Sequence, residues 1–229
     1  MNAIARATKF TALSTISFGV GLSLFGRPWP ETTPSQISTT TKQSLSILKS
    51  IQSNELYQKL SQPDSKYKML LGSQLIPEAH RINHVGQGIL NSPKHIAIDP
   101  IIFMNNEEGK FYFFSHLGPQ LVGNDDKVHN GVIATLLDES LCFCGFSKLP
   151  SKRGVTAKLN IEFKEKSPPN SNLMLFAEVV QNKGRKCVIK GYVETIPVDK
   201  SDRAIRVADA TCILVEPKWF KYLNWVPLF

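Results

Sequence analysis

Residues 129–145, His129-Asn-Gly-Val-Ile-Ala-Thr-Leu-Leu-Asp-Glu-Ser-Leu-Cys-Phe-Cys-Gly145, decide the fold. Val132, Ile133, Leu136, Leu137 and Leu141 fall around most of a helical circumference, and a helix that is apolar nearly all round is a buried one. Asn130 suits an N-cap and Gly145 a terminator. On both sides the period changes to two. Upstream, Ile96–Met104 and Lys110–His116 are β-rich runs separated by Asn105-Asn-Glu-Glu-Gly109, the chemistry of a hairpin turn. Downstream, Val155, Ala157, Leu159, Ile161 and Phe163 alternate with polar residues, and Leu173, Leu175, Ala177 and Val179 repeat the pattern after Pro168-Pro169-Asn170. Asn182-Lys183-Gly184 turns the chain into Lys186–Thr195, and Ala204–Val215 is the last run before Pro217.

Two strands, a buried helix and four strands make an α+β fold, an antiparallel sheet wrapped around one central helix, which is the hotdog architecture. It is expected over residues 96–216, long enough to build its own core. Residues 1–30 carry Arg6, Lys9 and Arg27 and no acid, the composition of a mitochondrial transit peptide. Phe10 to Gly26 is free of charge and, at about 17 residues, reaches the lower limit for a bilayer span. A cleaved leader and a retained single-pass membrane anchor are therefore both expectations for residues 1–30. Residues 31–95 read as a linker and helical extension. Residues 27–42 are rich in Pro, Thr and Ser, and Leu45, Leu48, Ile51, Leu56 and Leu60 then recur at near-helical spacing up to Pro63-Asp64. Packing on the domain is the expected fate of that stretch. Residues 217–229, with Trp219 and Trp225, form an aromatic tail suited first to packing across the sheet or to a subunit contact and second to membrane contact.

The 229-residue chain has a net charge of +8, of which +5 remains beyond residue 30. A mild basic excess without an Arg-rich helix does not make a nucleic-acid surface; an anionic small molecule suits it. Cys142, Cys144, Cys187 and Cys212 lack the C-x-x-C spacing of a zinc site and are sparse for a disulfide scaffold, so they read as buried apolar residues in a reducing compartment. His80, His84, His95 and His116 are dispersed, and no metal is expected.

Asp138 stands out in this helix. An ionised carboxylate among apolar residues costs several kcal/mol without partners, and a partly desolvated one makes a good general base. The plainer alternative is a wet helix edge shared with Glu139. At the other end, the first helical turn offers unpaired N–H groups and the positive end of the dipole. The amides of Asn130 and Gly131 are candidates to hold a carbonyl oxygen that becomes an oxyanion. Eight residues separate Asn130 from Asp138, about 12 Å along the axis. One reacting carbonyl cannot touch both, so a homodimer (or a dimer of dimers) with antiparallel helices is required.

Gly118-Pro119-Gln-Leu-Val-Gly123, the stretch from His129 to Asp138, Thr156-Ala-Lys-Leu-Asn-Ile161 and Gly184-Arg-Lys186 together resemble the hotdog-fold acyl-CoA thioesterases. The nearest likeness is to the mitochondrial thioesterase-superfamily members of animals, whose helix opens His-Gly-Gly and carries an Asp nine residues after the His, and to a fungal mitochondrial branch of that family. The resemblance implies hydrolysis of fatty acyl-CoA to free fatty acid and coenzyme A without a cofactor. It gives Asp138 the role of activating water and places Asn130 in the oxyanion hole. Thr156 becomes a hydroxyl that orients the water or the acid, and His129 either orients the thioester or caps the helix. Lys164, Lys183, Arg185 and Lys186 match basic residues that meet coenzyme A phosphates, a role that suits their charge. Cys142, one turn beyond Asp138, reads as a packed thiol rather than a nucleophile.

The chain departs from the family in one place, His-Asn-Gly for His-Gly-Gly. A backbone N–H survives the change, while the Asn side chain can obstruct the acyl chain. That departure motivates the alternative of a non-catalytic, membrane-anchored protein of the mitochondrion that binds acyl-CoA or acts as a scaffold. A hotdog dehydratase is a further option that lacks its His-rich signature.

Overall fold

Alternating apolar residues put seven strands into one antiparallel sheet ordered β1-β2-β3-β5-β6-β7-β4. They are β1 (Lys68–Leu71), β2 (Ile101–Asn105), β3 (Lys110–Leu117), β4 (Val155–Phe163), β5 (Ser171–Lys183), β6 (Lys186–Ile196) and β7 (Arg206–Val215). This computed structural model describes residues 3–25, 42–76, 81–197 and 203–222. Most of the linker, His80 and the end of the tail with Trp225 lie outside the described residues. Six strands follow the period-two runs of the sequence; the four-residue β1 is a seventh, paired with β2 at the sheet edge. The run from Ile96 is buried throughout its first three residues but becomes a strand only at Ile101. Pro100, which has no N–H for a ladder, stands at the break. Gly109 closes the β2–β3 hairpin at φ +66, where a side chain is resisted.

The helix lies where its all-round apolarity requires. The central helix (Asn130–Phe146) buries Leu136, Leu137 and Leu141 against Phe111, Leu175, Ile189 and Cys212. The sheet makes room for it with small residues: Ala177, Gly191 and Ala210 are neighbours across β5, β6 and β7. A Cβ on Gly191 would stand 2.9 Å from Leu141 Cδ2 and 2.5 Å from the Phe176 carbonyl oxygen. This row forms a trough under Leu141.

Both helix ends differ from expectation. The N-cap is His129, whose Nδ1 accepts the N–H of Gly131 at 3.0 Å, and Asn130 is the first helical residue. Gly145 sits inside the helix, which ends at Phe146; a Cβ there would meet Ile189 Cδ1 at 2.8 Å. Close packing rather than termination explains that glycine.

The amphipathic extension packs on the outer face of the sheet, as expected. It divides at Asn54 into α2 (Lys42–Gln52) and α3 (Glu55–Leu60), because the Asn54 side chain accepts the N–H groups of Leu56 and Tyr57 and caps the second helix. Ile47, Ile51, Tyr57 and Leu60 cover Ile98, Phe103, Phe114 and Met174. The Tyr57 ring meets Phe103 and Phe114 edge-on, with centroids 5.2 and 5.6 Å apart. Short helix α4 (Gly72–Leu75) follows β1. The leader forms α1 (Ala3–Phe25). Among the described residues no helix is long and apolar enough to cross a membrane, so the single-pass anchor finds no support. The five hydroxyl residues between Thr11 and Ser23 dilute the segment. In the tail, Trp219 and Tyr222 are exposed on a 3-10 turn (Lys218–Tyr222).

Candidate active site

The central helix carries Asp138 to a half-buried position beside the first residues of β4. There Thr156 Oγ1 donates to Asp138 Oδ1 at 2.9 Å. The β4–β7 register slips between Thr156 and Lys158, the kind of irregularity that re-aims side chains at a strand end. Cys142 Sγ lies 3.1 Å from the same Thr156 oxygen. A carboxylate only accepts, so the threonine proton points to Asp138 and its oxygen receives the Cys142 S–H. Sequence spacing placed Asp138 and Cys142 together, and Thr156, which the resemblance cast as a hydroxyl orienting the water or the acid, stands hydrogen-bonded to Asp138.

Glu139 is not on a wet edge. Its carboxyl packs against the π-turn Val85–Ile89, where the Gly86 N–H donates to Oε1 at 3.3 Å and His84 Nδ1 stands 3.6 Å away. Burial pushes the Glu139 carboxyl up to about 7, outweighing the Gly86 hydrogen bond, and burial also lowers the pKa of His84. Both changes favour the uncharged forms, and His84 Nδ1 already accepts the Gln87 N–H at 3.2 Å. The contact is therefore polar rather than a fixed ion pair.

At the N-terminal end of the helix, Gly123, Asn124, Asp125, His129, Asn130 and Lys166 line a hollow of about 270 Å³. The capping bond takes the Gly131 amide out of contention, since its N–H is held by the His129 ring. The Asn130 N–H has no acceptor among the described residues. With Nδ1 accepting, neutral His129 carries its proton on Nε2, a second donor at this end. Lys166 hydrogen-bonds Asp125 and holds that carboxyl below its ordinary pKa. The sequence reading missed Asn124, Asp125 and Lys166, because Lys166 reaches the hollow through the chain leaving β4.

Of the four basic candidates, Lys183, Arg185 and Lys186 come together, exposed, at the β5–β6 turn. Arg185 Nη1 is spent on the Glu216 carbonyl oxygen at 2.7 Å. Lys164 lies elsewhere, bonded to Glu162 and 3.9 Å from Asp209. Lys186 is level with Val215 and Val155, and Lys164 follows the far end of β4. Nine residues of strand, roughly 30 Å, separate the two places within one chain. Other histidines serve the scaffold: His116 Nδ1 meets Asn172 Oδ1 at 2.8 Å and His95 Nδ1 meets Ser92 Oγ at 2.7 Å.

Residues 126–195, which hold the central helix, Asp138 and Thr156, match the family model of the thioesterase superfamily. Over 211 residues the chain is 42% identical to an uncharacterized mitochondrial protein of Candida albicans, covering 92% of this chain and 94% of that one. The chain belongs to the thioesterase superfamily. Its hotdog sheet and helix are those of an α+β thioesterase-superfamily domain. A second relative, MIOREX complex component 3 of Saccharomyces cerevisiae, is 39% identical over 254 residues, covering 95% of this chain and 94% of the yeast protein. The acyl-coenzyme A thioesterase THEM4 of Bos taurus is 29% identical over 101 residues, covering 44% of this chain and 40% of that protein.

Proposed function

We propose that this thioesterase-superfamily protein hydrolyses fatty acyl-CoA to free fatty acid and coenzyme A in the mitochondrion. The observation that carries the reading is the 2.9 Å hydrogen bond from Thr156 to Asp138. It fixes a half-buried carboxylate on a helix otherwise committed to the core. So held, Asp138 takes a proton from water as that water attacks the thioester carbonyl, and the coenzyme A thiolate leaves with the proton returned to it. The bovine relative's name, acyl-coenzyme A thioesterase, supports the substrate class. The Candida relative's name and the acid-free leader with Arg6 and Lys9 support the location.

A homodimer completes the site. Among the described residues β4 ends the sheet with its outer edge unpaired, and Val155 and Phe163 are exposed along it. A nine-residue edge strand of this kind invites another strand. If two β4 edges pair antiparallel, the Thr156 end of one copy faces the Lys166 end of the other. The partner's Asn130 hollow then meets Asp138, and its Asn130 N–H and His129 Nε2–H receive the developing oxyanion. The same pairing brings the partner's Lys164 level with Lys186, three strand spacings or about 14 Å away, with Lys183 one strand farther. Charges stranded at two ends of one chain so become one anionic cradle for the coenzyme A phosphates.

Thiol release from a panel of acyl-CoA esters tests the proposal. Asp138→Asn is expected to lower kcat about 10²- to 10⁴-fold, and Thr156→Val about 10- to 100-fold, as for loss of an orienting partner. Unchanged turnover in Asp138→Asn would remove Asp138 from the mechanism. The yeast relative's name, a complex component, favours a second reading, a scaffold that binds acyl-CoA without cleaving it. Saturable acyl-CoA binding with no thiol release, the same in Asp138→Asn, would select it.

A further inference from the structure

Three separated stretches meet at one end of the sheet. Lys183, Lys186, Val215 and Val155 stand level there across β5, β6, β7 and β4. Glu216 ties the stretches together. Its N–H donates to the Arg185 carbonyl oxygen at 2.8 Å, its carbonyl oxygen accepts Arg185 Nη1 at 2.7 Å, and its Oε2 accepts the Ser151 N–H at 2.8 Å. Asn182 Nδ2 adds a bond to the Lys148 carbonyl oxygen at 2.9 Å. Residues 151–153, 182–186 and 216–222 therefore make one continuous surface.

Its charge is one-sided. Besides Lys183, Arg185 and Lys186 it carries Lys152, Arg153, Lys218 and Lys221, seven cations against the single acid Glu216, or +6. Residues 31–229 as a whole carry +5, so everything else in that stretch nets −1. Glu216 is buried, with its carboxylate on the Ser151 N–H. None of the seven cations forms an ion pair among the described residues. Trp219 and Tyr222 are 55% and 67% exposed beside Lys218 and Lys221.

The chemistry of this surface selects its partner. Coenzyme A phosphates would occupy Lys183 and Lys186 and leave Lys218, Lys221 and both rings without a use. A single-stranded nucleic acid stacks its bases on open ring faces, yet the Lys221 ammonium lies over the Tyr222 ring, 4.7 Å from its centroid. An anionic bilayer uses all the parts: its headgroups attract unpaired Lys and Arg, and Trp and Tyr settle at headgroup level. We propose that this end of the sheet docks on an anionic lipid bilayer through Lys152, Arg153, Lys218 and Lys221, with Trp219 and Tyr222 entering the headgroup layer. The contact needs no spanning helix. Thr156 directly follows Val155 in the level row, so docking sets the Asp138 site close to the layer in which long acyl chains dissolve. That consequence rests on the thioesterase reading; the docking does not.

Co-sedimentation of the full chain with phosphatidylcholine vesicles, with and without phosphatidylglycerol, is the test. Binding is expected to the anionic vesicles alone and should weaken as salt rises. Combining Lys152→Ala, Lys218→Ala and Lys221→Ala should lower the affinity about 100-fold, roughly fivefold for each lysine. Trp219→Ala should lower it about tenfold. The corresponding triple Lys→Arg variant should bind like the natural chain, which separates lost charge from lost fold. Undiminished binding by the alanine variant would assign the contact to the leader, whose Phe10, Leu13 and Phe18 are exposed, and would overturn the proposal. Equal binding to neutral vesicles, complete displacement by free coenzyme A, or a preference for single-stranded RNA over anionic vesicles would each overturn it as well. If the chain docks as expected but hydrolyses no acyl-CoA, the enzyme reading fails and the docking surface stands.

Discussion

Asp138 and Glu139 are neighbours on one helix with opposite surroundings. Asp138 is half-buried and receives a hydroxyl; Glu139 is pressed against the 85–89 turn, and its carboxyl is pushed from an ordinary 4.5 to about 7 by burial. A carboxyl raised on folding binds its proton more tightly in the folded chain, so stability falls as pH rises from 4.5 to 7. The whole rise corresponds to about 3 kcal/mol. Glu139→Gln cannot ionise and escapes that loss. Urea unfolding should show its advantage over the natural chain growing by about 2 kcal/mol between pH 5 and pH 8. An advantage that does not change with pH would mean that Glu139 is solvated and charged when folded. Asp138 was legible in the sequence because one acid among leucines is a local signal. Gly131 was misjudged as an oxyanion donor because the competitor for its N–H, the His129 ring, sits only two residues away and no pattern reveals which way a ring turns.

At the scale of elements, period and circumference located the central helix and six strands, while their exact ends followed from tertiary contacts. One near-helical run became α2 and α3 because Asn54 caps a new helix sooner than it continues an old one. β1 was too short to show a period and exists through its pairing with β2. Close approach of helix to sheet rests on the Ala177–Gly191–Ala210 row. Strand propensity alone favours alanine over glycine by roughly 0.5–1 kcal/mol, which predicts that Gly191→Ala stabilises. Packing predicts the reverse, because the new Cβ meets the Phe176 carbonyl at 2.5 Å and backbone cannot swing aside. We expect a net loss of about 1–3 kcal/mol, seen as a lower Tm. An unchanged or higher Tm would show that β5 moves freely beneath the helix and that the trough is not fixed by this glycine.

At the scale of the whole molecule, the two halves of the proposed chemistry lie at the first residue and the middle of one 17-residue helix, about 12 Å apart along its axis, and a helix cannot fold back on itself. Only a partner joins them, so the dimer is part of the reaction rather than an addition to it. Two substitutions separate the halves with little harm to the fold. Asp138→Asn removes the base. Asn130→Pro removes the backbone N–H proposed for the oxyanion, at the first helical position, where proline is well tolerated. Each variant is expected to be nearly inactive by itself. Mixed after gentle dissociation, half of the randomly formed dimers are hybrids. Each hybrid has one site built from an intact Asp138 and an intact Asn130, and one site with neither, so thiol release should recover to about a quarter of the natural rate. No recovery, with hybrid dimers confirmed by mass, would place both groups in the same subunit's site and end the two-fold arrangement. Full inactivity of Asn130→Pro matters equally: if it hydrolyses acyl-CoA normally, the oxyanion is held elsewhere, and the departure from His-Gly-Gly carries no penalty because that amide was never used.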